Sequence, residues 1–412
     1  MDPQPAAHRT VSPRYLEERA ARVPHAELIA RLAQLRAELA ARDLEAALIV
    51  QNADLFYYAG TVQQSHLYVP ADGEPALFTR RTVARARVET PLEVVPLESV
   101  TALPEQLRER YGALPRRLGL ELDVLPVNQL RRYEALLPDV QAVDVSPLVM
   151  RQRAVKSPWE VERIRAAGAV TIAVSERLPE LLEEGLTEVE LAGRLEAVAR
   201  SLGHQGVIRM RGFNQEMFYG QLLTGASGEV ASFLDTPLAG TGLSPAVAQG
   251  ASFRKIGCGD PIVFDFVSVV DGYTADFTRM FVLGALDRRL EEAYAVARSV
   301  QEAVAARARP GVRCRELFET ALGMAESAGL AASFMGHGEG RVRFIGHGVG
   351  LELDELPVLS PNDLALEEGM VFALEPKFVL PGLGAIGLEN TWLVTGAGCQ
   401  VLTPAPEHIR TL

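Results

Sequence analysis

Apolar residues recur at helical spacing early in the chain: Leu28, Leu32, Leu35 and Leu39 follow one another at steps of four, three and four and predict a helix over residues 25–42. An amphipathic helix of this kind needs a core to lie against. Short apolar runs at 46–50, 76–78, 118–122 and 140–145, separated by turn residues and a polar helical stretch near 127–136, supply one and predict a small α/β domain. The pattern changes at residues 152–157. There Ser157, Pro158 and Glu160 form a capping box with proline at the first helical position, which opens a long helix. The domain boundary is therefore placed between residues 154 and 155, giving domains 1–154 and 155–412, consistent with a 412-residue chain too long for one core.

Beyond that boundary the sequence reads as a diverged duplication offset by 126 residues. Gly185 aligns with Gly311, Leu186 with Val312, Leu191 with Leu317 and Gly203 with Gly329. Each pair of glycines brackets one predicted helix, and a longer helix precedes each, over residues 158–183 and 287–308. Strand-rich sequence follows both pairs, so the second domain is expected to contain two related helix-helix-sheet halves.

The chemistry concentrates in residues 260–279. Asp271-Gly272 between β-branched runs is a two-residue hairpin signal that sets Val270 opposite Tyr273 and Val267 opposite Asp276. In that register Asp265 and Asp276 share a face as diagonal neighbours, roughly 7–8 Å apart. Two carboxylates among Phe264, Phe266 and Phe277 repel each other and are costly to desolvate unless a cation neutralises them; the alternative is a pair of solvated strand residues. Downstream, His347 stands among glycines in the segment 344–350 (FIGHGVG). Glu375 and Glu389 each interrupt an apolar strand pattern, and for either one alone a structural salt bridge explains it equally well. Four carboxylates and an imidazole together make an oxygen-rich donor set suited to manganese, cobalt, iron or zinc.

Composition narrows the possibilities. A net charge of -12 disfavours nucleic acid and anionic membrane as partners and leaves a small molecule as the better expectation. Cys258, Cys314 and Cys399 are odd in number and lack CxxC spacing, so neither a disulfide framework nor a thiolate metal site is indicated. Residues 1–24 are polar and broken by prolines, and no apolar run reaches spanning length, so a cytoplasmic protein is expected. His8, His25, His66 and His408 are expected on the surface. His337, ten residues before His347 in a glycine-rich stretch, is either a solvated loop residue or a substrate-site group.

These segments resemble the pita-bread metallopeptidase family, which includes Xaa-Pro aminopeptidase, Xaa-Pro dipeptidase and the metal-free creatinase. The resemblance spans nearly the whole chain. The family's two aspartates match Asp265 and Asp276, its Gly-His-Gly histidine matches His347, its Glu-Pro glutamate matches Glu375, and its last glutamate matches Glu389. It implies an α/β creatinase-like N-terminal domain and an α+β pita-bread catalytic domain with internal pseudo-twofold duplication. It also implies two divalent ions, manganese foremost. Asp265 and Glu389 would bridge or flank both, Asp276 would bind one, and His347 with Glu375 would complete the other, with Glu375 also shuttling a proton to the leaving nitrogen. A homodimer acting on a small peptide or amide is the corresponding expectation.

Four departures limit the carry-over. The family's second histidine is Asp354 here, its histidine ahead of the first metal aspartate has no counterpart between His204 and His337, the Arg two residues before the last glutamate is Gly387, and the Asp after it is Asn390. The segment 223–257 is also long and rich in Gly, Ser and Pro. Losing two oxyanion-stabilising donors disfavours ordinary Xaa-Pro peptides unless His337, Arg211 or Tyr219 replaces them, and Asp354 suggests a substrate with a cationic or amide group. A non-peptidase amidohydrolase, a metal-dependent lyase and a catalytically silent binding protein are the alternatives.

Overall fold

The computed structural model describes residues 22–412, so His8 and most of the polar N-terminal stretch lie outside the described residues. Two compact units meet between Gln152 and Arg153.

In the first unit, α1 (His25–Ala40) buries Leu28, Leu32, Leu35 and Leu39, the stripe that its periodicity announces. Six strands, β1 (Ala46–Ile49), β2 (Ser65–Pro70), β3 (Ala76–Thr79), β4 (Glu93–Pro96), β5 (Arg117–Leu120) and β6 (Gln141–Asp144), form a mixed sheet in the order β4-β3-β2-β1-β5-β6. The helix Asn52–Ala59 is not apparent from apolar spacing. It is set by its ends: Gln51 accepts a hydrogen bond from the Asp54 backbone N–H, and Gly60 closes it at φ +71°.

His66, expected on the surface, is buried in β2 with Nε2 2.9 Å from the Tyr133 hydroxyl. Burial, seconded by Arg80 and Arg132, pushes its imidazole down to about 4 from 6.5. The unfolded chain then takes up a proton below 6.5 that the folded unit refuses until about 4, so the stability of this unit falls as pH drops through that window. An NMR titration of the His66 ring protons is expected to have its midpoint near 4; a midpoint above 6 would contradict the burial argument. His25 and His408 are exposed, as expected.

The second unit opens with α2 (Pro158–Leu181), whose capping box is formed on both sides: the Glu160 N–H donates to Ser157 Oγ and the Ser157 N–H to Glu160 Oε2. Then come α3 (Glu188–Ser201), β7 (Gly220–Thr224), β8 (Pro261–Val270) and β9 (Tyr273–Val282), with β16 (Arg410–Thr411) completing a sheet β16-β9-β8-β7. The second half repeats the plan: α4 (Arg288–Arg307), α5 (Cys314–Ser327), and a sheet β10-β11-β14-β15 built from β10 (Gly346–Gly348), β11 (Val371–Leu374), β14 (Asn390–Thr395) and β15 (Gly398–Val401). Between them lies the hairpin β12 (Lys377–Leu380) and β13 (Gly384–Gly387).

Both ends of α5 are displaced from those of α3 by the 126 residues of the sequence repeat. The four aligned glycines, Gly185, Gly203, Gly311 and Gly329, all adopt positive φ between 72° and 102°, a conformation that glycine takes without a Cβ penalty. The duplication is therefore legible in backbone geometry. No helix among the described residues is long and apolar enough to cross a membrane.

Candidate metal centre

The β8–β9 hairpin turns at Asp271 (φ 49°) and Gly272 (φ 89°), the doubly left-handed geometry of a type I′ turn, and the ladder pairs Val270 with Tyr273 and Val267 with Asp276. Asp265 stands opposite Thr278, so both aspartates project from one face as the register predicts. From the second half, β10 delivers His347, and the chain leaving β11 delivers Glu375, whose N–H donates to the Ile345 carbonyl at 3.0 Å. Glu389 precedes β14 and pairs with Thr278 in an isolated bridge, with Thr278 Oγ1 donating to Glu389 Oε2 at 2.8 Å. Asp265, Asp276, His347, Glu375 and Glu389 are all at least nine-tenths buried.

Asp276, His347 and Glu389 each offer a ligand atom within 4.8 Å of the others. His347 Nε2 lies 3.7 Å from Asp276 Oδ2 and 3.8 Å from Glu375 Oε1. Its Nδ1 lies 3.0 Å from the Leu353 carbonyl, which can only accept, so Nδ1 donates there and Nε2 is turned toward the carboxylates. Burial opposes protonation of this ring, but Asp354, Glu375 and Glu389 together outweigh it and raise its pKa from the ordinary histidine value. Burial likewise raises Asp276 well above the carboxylate range, aided by the charges on Glu389 and Asp265.

Sequence reasoning missed Lys377. Its ammonium sits inside the cluster, 2.7 Å from Asp265 Oδ2, 2.8 Å from Glu375 Oε2 and 3.1 Å from Glu389 Oε2, with its side chain 2% exposed. Burial works against the charge, yet the Asp265, Glu375 and Glu389 carboxylates hold it protonated well above lysine's ordinary range. A signal was present: the lysine stands two residues after Glu375 in an apolar strand pattern, hence on the same face. Opposite it in the β12–β13 register is Gly387, where a Cβ would come within 2.7 Å of Lys377 Cγ. Lys377 and Gly387, the position where the resemblance expects an arginine, are thus cross-strand partners.

A cavity of about 60 Å³ opens on the cluster, lined by Asp265, Asp276, His347, Asp354, Glu375 and Lys377 on one side and by residues of 210–217 and 234–236 on the other. The segments 210–217 and 234–236 therefore border the space in which a substrate would meet the cluster. Asp354 reaches the cavity, its Oδ1 3.5 Å from His347 Nδ1. His337 does not: it is exposed, N-caps a short 3-10 turn and is not among the lining residues. Tyr219 stacks against His204 at 4.4 Å and lines a different pocket, while Arg211 lies 3.6 Å from Glu352. None of the three donors considered from the sequence faces the cluster. Asn390 accepts from Arg279 Nη2 at 2.8 Å, keeping the partner role that an aspartate would have.

The model of metallopeptidase family M24 matches residues 162–396, and that of the creatinase/prolidase N-terminal domain matches residues 31–155. The chain belongs to metallopeptidase family M24. It is 26% identical to the Xaa-Pro dipeptidase of Pyrococcus furiosus over 370 residues, covering 89% of this chain and 95% of that protein. Its identity to the probable dipeptidase PepE of Mycobacterium tuberculosis is 28% over 399 residues, 92% and 95% of the two chains. Among solved structures, the Xaa-Pro dipeptidase from Bacillus anthracis superposes with a TM-score of 0.80 over 93% of this chain and 100% of that one at 23% identity, which establishes the shared pita-bread fold. As an M24 member the chain is a peptidase-type hydrolase of a family that uses divalent metal ions.

Proposed function

We propose that this M24 member hydrolyses a small peptide or amide bearing a free amine, of the class that includes Xaa-Pro dipeptides, in a reaction that depends on a divalent ion held by Asp276, His347, Glu375 and Glu389. The observation that carries the reading is Glu389 Oε1. It belongs to a side chain 1% exposed and has no hydrogen-bond partner among the described residues, which is costly for a buried carboxylate unless a cation takes it. Asp276, His347 and Glu389 offer ligand atoms within 4.8 Å of one another and Glu375 Oε1 lies 3.8 Å from His347 Nε2, so the residues fit one ion; such carboxylate-rich donors suit manganese, with cobalt, iron or zinc as substitutes.

Such an ion, when bound, supplies a nucleophile at neutral pH and polarises the scissile carbonyl. The chain's own residues do the rest. Glu375 Oε2 is fixed by Lys377, which turns Oε1 toward His347 and leaves it for the ion. Asp354 lines the cavity and attracts the substrate's ammonium. The absence of a second imidazole from the described lining favours a minor reading, an amidohydrolase acting on a compact metabolite.

The test is a screen of manganese-loaded protein against Xaa-Pro dipeptides, longer proline peptides and small N-substituted amides. Hydrolysis of the dipeptides supports the proposal; turnover of the amides alone moves the assignment to the minor reading. Exchanging Asp354 for Asn is expected to raise KM about tenfold for substrates with a free amine and to leave N-acylated analogues unchanged, consistent with loss of one charge pair of ~1.4 kcal/mol. Equal effects on both would remove Asp354 from substrate recognition.

A further inference from the structure

We infer that Lys377 is itself the second cation of this centre, so that the site binds one divalent ion rather than the pair expected from the family resemblance. The inference deepens, and rests on, the metal-dependent reading above. An ammonium has three N–H donors, and those of Lys377 are matched by three carboxylate oxygens, Asp265 Oδ2, Glu375 Oε2 and Glu389 Oε2. A second metal drawing on these carboxylates would need their oxygens at ~2.0–2.2 Å. It would then lie almost in contact with the ammonium nitrogen, where two positive charges buried away from water are poorly screened.

Lys377 has nowhere to withdraw. Its backbone is fixed in the β12–β13 ladder opposite Gly387, its Cγ fills the space that a side chain at 387 would need, and the residue is 1% exposed. What the ammonium leaves available lies on the other side of the cluster. Glu389 Oε1 is unpartnered, and Glu375 Oε1 and Asp276 Oδ2 stand 3.8 Å and 3.7 Å from His347 Nε2, a donor set for a single ion. Asp265, expected to serve a metal, then serves the lysine. Lys377 has no donor left for substrate; it is a positioning residue that aims one oxygen each of Glu375 and Glu389 at the ion.

The experiment strips the full chain with a chelator, reloads it with Mn2+ and measures bound metal by mass spectrometry together with the electron paramagnetic resonance of the bound ion. The expected result is one equivalent per chain with the spectrum of an isolated ion. Lys377→Ala, checked for folding by circular dichroism, is expected to take up a second equivalent and to show the exchange-coupled spectrum of a pair. Two equivalents in the unaltered chain would overturn the inference while leaving metal dependence intact. No bound metal would overturn both, and a folded Lys377→Ala protein still limited to one equivalent would overturn the assignment of Lys377 to the second cation's place. If that variant fails to fold, the stoichiometry and spectrum of the unaltered chain decide the question by themselves.

Discussion

Replacing His347 by alanine is expected to abolish metal uptake and, with it, hydrolysis. Nε2 is the nitrogen that faces Asp276 and Glu375, and its direction is fixed by the Nδ1 hydrogen bond to the Leu353 carbonyl. Removing a group that merely orients a ligand weakens metal binding about 10- to 100-fold, so removing the ligand itself should exceed that range. Thermal melting reads the loss without an assay. An ion at about a hundred times its Kd adds ~2.7 kcal/mol to the folded state, or roughly 5–10 °C in Tm for a unit of this size. The unaltered chain should show that gain on adding manganese, and the His347→Ala protein should show almost none. An equal gain in both would place the ion elsewhere.

How far the sequence anticipates this site depends on which physical rule governs each residue. Turn chemistry is local, so Asp271-Gly272 fixes the β8–β9 register and with it the shared face of Asp265 and Asp276 before any long-range contact is known. Capping is equally local, which is why the start of α2 at Pro158 is legible. The duplication is legible because it rests on glycines whose positive φ few other residues would adopt. The burial of His66 is not legible, because a histidine in an apolar strand gives no sign of whether a hydroxyl such as that of Tyr133 waits across the core.

Lys377 is the more instructive omission. A lysine in a strand is ordinarily solvated, and only the meeting of two sheets 112 residues apart in sequence reveals that its neighbours are Asp265 and two glutamates. Conversely, His337 has the glycine-rich context of a site residue but none of the packing. Ligands brought together by register could be foreseen; the partner that occupies the space between them could not.

The largest effect on stability is expected at Arg153, some distance in sequence from every ligand. Its guanidinium joins Glu352 at 2.9 Å and Glu355, and Lys156 Nζ completes the cluster 3.0 Å from Glu355 Oε2, with the side chains of Arg153, Lys156, Glu352 and Glu355 all no more than 5% exposed. Arg153→Ala leaves two buried carboxylates with less compensation and should cost about 3–5 kcal/mol, measured by denaturant unfolding. The same cluster sets a pH dependence. Burial raises the Glu355 carboxyl, but Arg153 and Lys156 overcome it and hold the group at about 2 against an ordinary 4.5. A depressed carboxyl stabilises the fold above 4.5, and that contribution, on the order of 3 kcal/mol, is withdrawn as pH falls through 4.5 toward 2. Glu355→Gln should flatten stability over that window, whereas an unchanged acid limb would remove Glu355 from the account. The cluster also reaches the metal ligands. Glu355 accepts from the Glu352 N–H and bridges Gly348, so it holds the turn whose Leu353 carbonyl orients His347. Arg153→Ala should therefore weaken metal affinity as well as the fold, by the 10- to 100-fold expected when a ligand loses its orienting partner. A loss of stability with metal affinity intact would show that the turn keeps its shape without the arginine.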